Sequence, residues 1–79
     1  MVMKKNEIET RIMQRIRQMP DRGDCTAAMD LMDEIGFSSI EVMELVSYVE
    51  EDFGVRITSR DLRRVATPED LAELIESKL

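Results

Sequence analysis

Histidine and tryptophan are absent from the 79 residues, cysteine occurs once at position 25, and no apolar run approaches the length of a membrane span. Each absence closes a class of function. Without His, and with a lone Cys25, neither a zinc framework nor His-based acid–base catalysis has material here, and no internal disulfide can form. Three glycines and two prolines leave little room for long loops and none for a phosphate-cradling glycine-rich turn, so no triad or nucleotide site is expected and no independent enzyme. Two Phe and one Tyr are too few for base-stacking platforms, and a net charge of -6 disfavours phosphate backbones as partners. Cations are missing locally as well. From Gly23 to Val55 there is no Lys or Arg, while Asp24, Asp30, Asp33, Glu34, Glu41, Glu44, Glu50, Glu51 and Asp52 crowd the same stretch. An acidic middle between mildly basic ends steers a basic partner surface toward the middle of the chain.

At 43% apolar and 35% charged residues, the composition is that of an ordinary globular chain, and the length predicts one domain over residues 1–79. The start, Met1 to Asn6, has two lysines but runs into Glu7-Ile8-Glu9, which does not read as a signal peptide. With no span and no disulfide, a reduced cytoplasmic setting and a monomer are expected.

Ile8, Ile12, Ile16 and Met19 fall at helical spacing and predict a first helix over about 6–19, capped by Asn6 and ended by Pro20. Asp21 to Asp30 has no sustained period and reads as a long loop, with Leu31, Met32 and Ile35 tucking back onto the core. At Ser38 several start signals coincide: a serine at the cap position, Glu41 three residues on, and Phe37 placed to staple onto Val42. Val42, Leu45, Val46, Val49 and Phe53 then form one apolar stripe, and Gly54 stops the helix. Thr58 with Asp61 starts a short third helix from Ser59 to about Arg64, anchored by Ile57. Thr67-Pro68-Glu69-Asp70 repeats the same signals for a last helix ending near Lys78, with Leu71, Leu74 and Ile75 on its buried face. The pattern is all-α: three longer helices, one short one, and a long first loop.

Ser39 is the first residue of the second helix, where unpaired N–H groups favour phosphate. With Ser38 acting as the cap, its hydroxyl is free to face a modifying enzyme. Two serines competing for one cap is the simpler reading of the same residues. Cys25 reads as an inert loop thiol and the seven Met as adaptable core fillers.

The run Asp33-Glu34-Ile35-Gly36-Phe37-Ser38-Ser39-Ile40-Glu41-Val42-Met43-Glu44-Leu45 resembles the attachment motif of acyl carrier proteins, in which a leucine, a glycine and an Asp-Ser-Leu triplet lead into a helix. The similarity continues through Glu50 to Ile57 and Ala66 to Leu71; the first helix matches only in its amphipathic pattern. The resemblance implies a four-helix carrier bundle bearing a covalent 4′-phosphopantetheine arm, donated by coenzyme A, on Ser39. The arm would hold acyl groups as thioesters for fatty-acid, polyketide or related acyl metabolism, the cofactor providing the reactive bond and the protein its delivery.

The expected partners are a phosphopantetheinyl transferase and the acyl-loading, acyl-transfer or condensing enzymes, meeting the second helix through basic surfaces. Glu41, Glu44, Glu50 and Glu51 become the recognition candidates. Val46, Val49, Leu62, Val65, Leu71 and Leu74 form core by periodicity; by resemblance some of them part to shelter an acyl chain. Ser38 stands where fatty-acid carriers usually have Asp, Ile40 replaces leucine, and Arg60, Arg63 and Arg64 make the third helix basic; together these suggest a specialised carrier, although the arginines also serve simply to balance nearby acids. Two competing readings are an aminoacyl or peptidyl carrier of non-ribosomal synthesis and an unmodified helical domain whose acidic face binds a basic protein.

Overall fold

A computed structural model describes residues 3–20 and 22–79. Met1 and Val2 of the N-terminal segment, and Asp21 at the start of the expected loop, lie outside the described residues. Four helices and no strand occur among those described: α1 (Lys5–Arg17), α2 (Ser39–Phe53), α3 (Ser59–Leu62) and α4 (Pro68–Lys78).

The isoleucine ladder of α1 is the centre of the core. Ile8, Ile12 and Ile16 lie four residues apart, share one side of the helix and are sealed from solvent, each burial contributing about 1.5–3 kcal/mol. They pack with Leu71, Ala72 and Ile75 of α4 and with Leu45, Val46 and Val49 of α2 in one cluster. The start of α1 differs from the expected one. Asn6 is inside the helix, and the cap position falls on Lys4, which makes no side-chain cap; its carbonyl instead accepts from Glu7 and Ile8 N–H at 3.0 and 3.1 Å. Lys5 reaches Glu69 at 3.2 Å and Glu73 at 3.5 Å on α4, so tertiary contact supports this end without a local cap. The helix also closes earlier than expected, at Arg17. The Gln18 and Met19 N–H groups fall back on Arg15 and Ile16 carbonyls in tighter three-residue turns, because Pro20 disfavours helical geometry in the residue before it.

Residues 22–37 are irregular but pinned. Leu31 N–H donates to Ala66 O at 2.8 Å and Glu69 N–H to Ala27 O at 3.1 Å, tying the connection to the α3–α4 side of the molecule. Asp30 organises one turn: its carboxylate accepts from Met32 and Asp33 N–H at 3.0 and 2.8 Å, and its carbonyl from Glu34 and Ile35. Leu31 and Ile35 lie four apart on the inner side of that turn and are buried. Met32, one residue on, faces outward and is 51% exposed, contrary to the expectation that all three pack inward.

Side-chain capping boxes start α2, α3 and α4 as expected, at Ser38/Glu41, Thr58/Asp61 and Thr67/Asp70. Gly54 ends α2 with φ of 67°, in the left-handed region. α3 is shorter than predicted: Arg63 and Arg64 are a turn, in which the Arg64 and Val65 N–H groups bond three residues back, to Asp61 and Leu62, rather than four. No α3 residue is fully buried. Its position depends on Ile57, buried just before it, and on Lys78 of α4, whose Nζ lies 3.0 Å from Asp61.

Candidate functional site

The turn before α2 is shaped residue by residue. Gly36 has φ of 88°, a conformation an L side chain rarely adopts. Phe37 then drops into the core, and its N–H returns to Leu31 O at 2.9 Å. Ser38, extended, brings its Oγ under the new helix to accept the Glu41 N–H at 3.2 Å, while Glu41 Oε1 accepts the Ser38 N–H at 3.0 Å. Ser39 follows as the first helical residue and is exposed. The adjacent serines therefore differ in availability: the Ser38 hydroxyl closes the helix, whereas that of Ser39 makes no side-chain hydrogen bond among the described residues. Ile40, 72% exposed, and the exposed Met43 put bare apolar surface beside it.

The four expected recognition carboxylates separate into two pairs. Glu44 and Glu51 are exposed. Glu41 is half-buried and engaged with both Ser38 and Arg22, the latter at 3.3 Å. The Ser38 backbone N–H, with a smaller contribution from the Arg22 charge, holds its carboxyl below the usual range against the opposing effect of burial. Glu50, also half-buried, accepts the Ile57 N–H at 2.8 Å and thereby orients the chain entering α3. The capping-box spacing already predicts the Glu41 bond to Ser38, but periodicity does not indicate that the Ile57 amide, seven residues on, will claim Glu50 or that Arg22 will reach Glu41.

Beside α2 a cleft of about 320 Å³ opens between the Asp30 turn and the segment joining α3 to α4. Val46, Leu62, Val65 and Leu71, expected around an acyl chain, line it. Two other candidates do not. Val49 is sealed among the core isoleucines, and Leu74 faces a different groove with Asp61, Arg64 and Glu73. The cleft adds Leu31, Met32, Val42 and Leu45, with Asp30 and Asp33 at its polar edge. Val42 and Leu45 were legible as neighbours of Val46 on one helical stripe; Leu31 and Met32 come from an aperiodic segment whose fold supplies the far wall.

The family model described as the phosphopantetheine attachment site matches residues 10–75. The chain belongs to the acyl carrier protein family. It is similar to the acyl carrier protein of Thermotoga maritima, at 34% identity over 59 residues that cover 75% of this chain and 73% of that one. It is also similar to that of an Exiguobacterium species, at 37% identity over 59 residues and 75% of both chains. The solved acyl carrier protein of Enterococcus faecalis superimposes with a TM-score of 0.76, covering 98% of this chain and all of that one; at 24% identity this establishes the fold. This carrier is thus a bearer of acyl groups rather than an enzyme, and its prosthetic group is a covalently attached 4′-phosphopantetheine. The reading as an unmodified interaction domain falls with that assignment. Among the described residues, no helix of the carrier is long and apolar enough to cross a membrane.

Proposed function

We propose that Ser39 bears the 4′-phosphopantetheine arm, and that residues 1–79 act as one carrier domain presenting acyl thioesters to partner enzymes in the cytoplasm, as a monomer. The observation that carries this reading is the division between the serines. Forming the phosphodiester requires a serine oxygen free to attack the donor phosphorus. Both serines are exposed, but Ser38 Oγ is engaged with the Glu41 N–H, whereas the Ser39 hydroxyl, on the first helical turn, makes no side-chain hydrogen bond among the described residues. There the unpaired amides and partial positive charge of the helix start favour the new phosphate. The residues thus fit the group: a reachable hydroxyl, an anion-favouring helix end, and an apolar cleft along the same helix.

Recognition is assigned to the exposed part of α2. Glu44 and Glu51 offer charge to the basic surface of a phosphopantetheinyl transferase or of acyl-loading and condensing enzymes, and Ile40 and Met43 offer apolar contact beside the arm. Glu41 and Glu50 contribute mainly by holding the turn and the α3 entry. Exposed Arg60, Arg63 and Arg64 give the opposite flank a cationic character, which supports a dedicated pathway of acyl, polyketide or related metabolism over general fatty-acid synthesis.

Intact mass after incubation with coenzyme A and a broad-specificity transferase tests the attachment. The wild-type chain and Ser38→Ala are expected to gain one phosphopantetheine each, and Ser39→Ala none. A gain in Ser39→Ala together with its loss in Ser38→Ala would move the arm to Ser38.

A further inference from the structure

Arg22, in the irregular connection between α1 and α2, has a side chain only 17% exposed. Its guanidinium acts as a three-way tie. Nη1 donates to Pro20 O at 2.9 Å, while Nη2 donates to Gly36 O at 3.2 Å and to Glu41 Oε2 at 3.3 Å. The group lies 5.0 Å from the centre of the Phe37 ring. Its own carbonyl accepts from the buried Cys25 thiol at 2.9 Å, which anchors the loop behind it. The residues it grips are those that bracket the two serines: Gly36 and Phe37 before them, Glu41 after them.

From this geometry we infer that Arg22 is the positioning residue for the attachment serine, a statement that rests on Ser39 carrying the arm. The turn needs external support because Gly36, the most permissive residue type, occupies its left-handed corner. Ser38 and Glu41 fix one another through the capping box, but that reciprocal pair does not specify how the helix start sits against the loop. Arg22 does so by holding the carbonyl of Gly36 and the free oxygen of Glu41 from one rigid plane. A lysine has one nitrogen where Arg22 uses two, Nη1 on Pro20 O and Nη2 on Gly36 O and Glu41, and no planar face to lay on Phe37.

The site also carries a cost that stability alone does not explain. Arg22 Nε is buried with no hydrogen-bond partner among the described residues, and an unsatisfied buried donor is unfavourable where an apolar side chain of similar length would fill the same space without one. Orientation of the turn is what the guanidinium supplies in return. Without it the transferase meets an ensemble in which only a fraction of molecules presents Ser39 correctly, and apparent affinity falls by that fraction.

The test measures transfer from saturating coenzyme A by a broad-specificity phosphopantetheinyl transferase while the apo carrier is varied, for wild type, Arg22→Lys and Arg22→Met, below the melting temperature of each. Expected for Arg22→Met is a rise in KM of about tenfold with kcat within about twofold, as for a competent population near one in ten, and for Arg22→Lys an intermediate KM. Amide exchange supplies the second readout: the Ser38 and Glu41 amides should lose protection while those of Ile12, Val49 and Ile75 keep theirs. Wild-type KM in both variants, or loss of protection across the core in parallel with the turn, would overturn the inference. Peptide mapping of the modified wild type separates the two claims. An arm found on Ser38 removes the attachment reading itself, whereas an arm on Ser39 with unchanged kinetics in the variants removes Arg22 alone.

Discussion

Ser38→Ala and Ser39→Ala delete the same hydroxyl at adjacent positions, yet the structure demands opposite consequences. Ser38 Oγ accepts the Glu41 N–H at 3.2 Å; removing it leaves one of the orphan amides at the start of α2 without its partner. The other half of the box, Ser38 N–H to Glu41 Oε1 at 3.0 Å, survives the change, so the loss should be that of a single side-chain cap, about 1 kcal/mol. For a domain of this size that lowers the melting temperature by roughly 4–8 °C, a sizeable part of a total margin of about 5–15 kcal/mol. Ser39→Ala removes no side-chain hydrogen bond among the described residues and puts the best helix former at a helical position, so its melting temperature should stay at or slightly above wild type. Modification runs the other way: the capless variant still accepts the arm, and the stable one cannot. Ser38→Asp completes the set, since a carboxylate at the cap restores the acceptor and complements the helix dipole by about 0.3–1 kcal/mol; it should melt no lower than wild type. Thermal melts by circular dichroism with intact mass on the same samples decide the matter. Equal stability losses in the two alanine variants would refute the division of roles, as would a Ser38→Ala chain that melts like wild type.

Acid should loosen the carrier in a defined window. Asp61 is held down from 3.8 to about 2, first by the Thr58 backbone N–H and then by Lys78; its folded form resists protons that the unfolded chain accepts, so its contribution is complete above 3.8 and disappears as pH falls toward 2. Asp70, through the Ala66 N–H, and Glu41, through that of Ser38, are shifted in the same direction. Asp61→Asn should therefore show a shallower fall of melting temperature between pH 4 and 2 than wild type, and an identical slope would count against the Thr58 and Lys78 contacts. Charge reversal at the exposed Glu44 and Glu51 should raise the transferase KM several-fold at low salt and flatten its salt dependence, as expected for exposed pairs of about 0.2–1 kcal/mol each. If the double variant retains wild-type KM at low salt, electrostatic recognition through α2 is wrong.

What the sequence disclosed and what it withheld divide along one physical line. Starts at Ser38, Thr58 and Thr67 were legible because a capping box is local: acceptor and donor lie three residues apart. The Gly54 stop and the Ile8/Ile12/Ile16 ladder were legible for the same reason. Asn6 misled because it has the composition of a cap, whereas the end of α1 is fixed by Lys5 meeting Glu69 and Glu73, more than sixty residues away. Arg22 was invisible because its acceptors, Gly36 and Glu41, are reached across an aperiodic loop. Met32 and Leu31 belong to the same class: no period in the sequence says which side of the Asp30 turn each will take. For the site itself, the serines, the capping role of Glu41 and the α2 wall of the cleft were readable; the far wall, the Arg22 contact of Glu41 and the fate of Glu50 were properties of the fold.

The distribution of burial bears on how the proposed carrier accommodates its cargo. α1, α2 and α4 share fully buried side chains and form one packed unit, whereas α3 contributes none and holds Ile57 as its one buried anchor, with the exposed-side tie between Asp61 and Lys78. Widening the cleft by moving α1 or α4 would open the isoleucine ladder, at about 1.5–3 kcal/mol for every side chain exposed. Widening it by moving α3 exposes one buried side chain, Ile57, at about 1.5–3 kcal/mol, and beyond that disturbs the Glu50 bond to the Ile57 N–H, the Asp61–Lys78 contact and the half-buried Leu62 and Val65. An acyl chain recovers about 0.8 kcal/mol for each methylene it buries, so roughly two to four methylenes offset the exposure of Ile57 and set a lower bound for displacing α3. On this reading the proposed carrier should leave shorter cargo on the arm in solvent and draw longer cargo in on the α3 side. The helix with the least buried surface would in this way be the movable wall, with the shared core of the other three holding the turn at Ser39 in place.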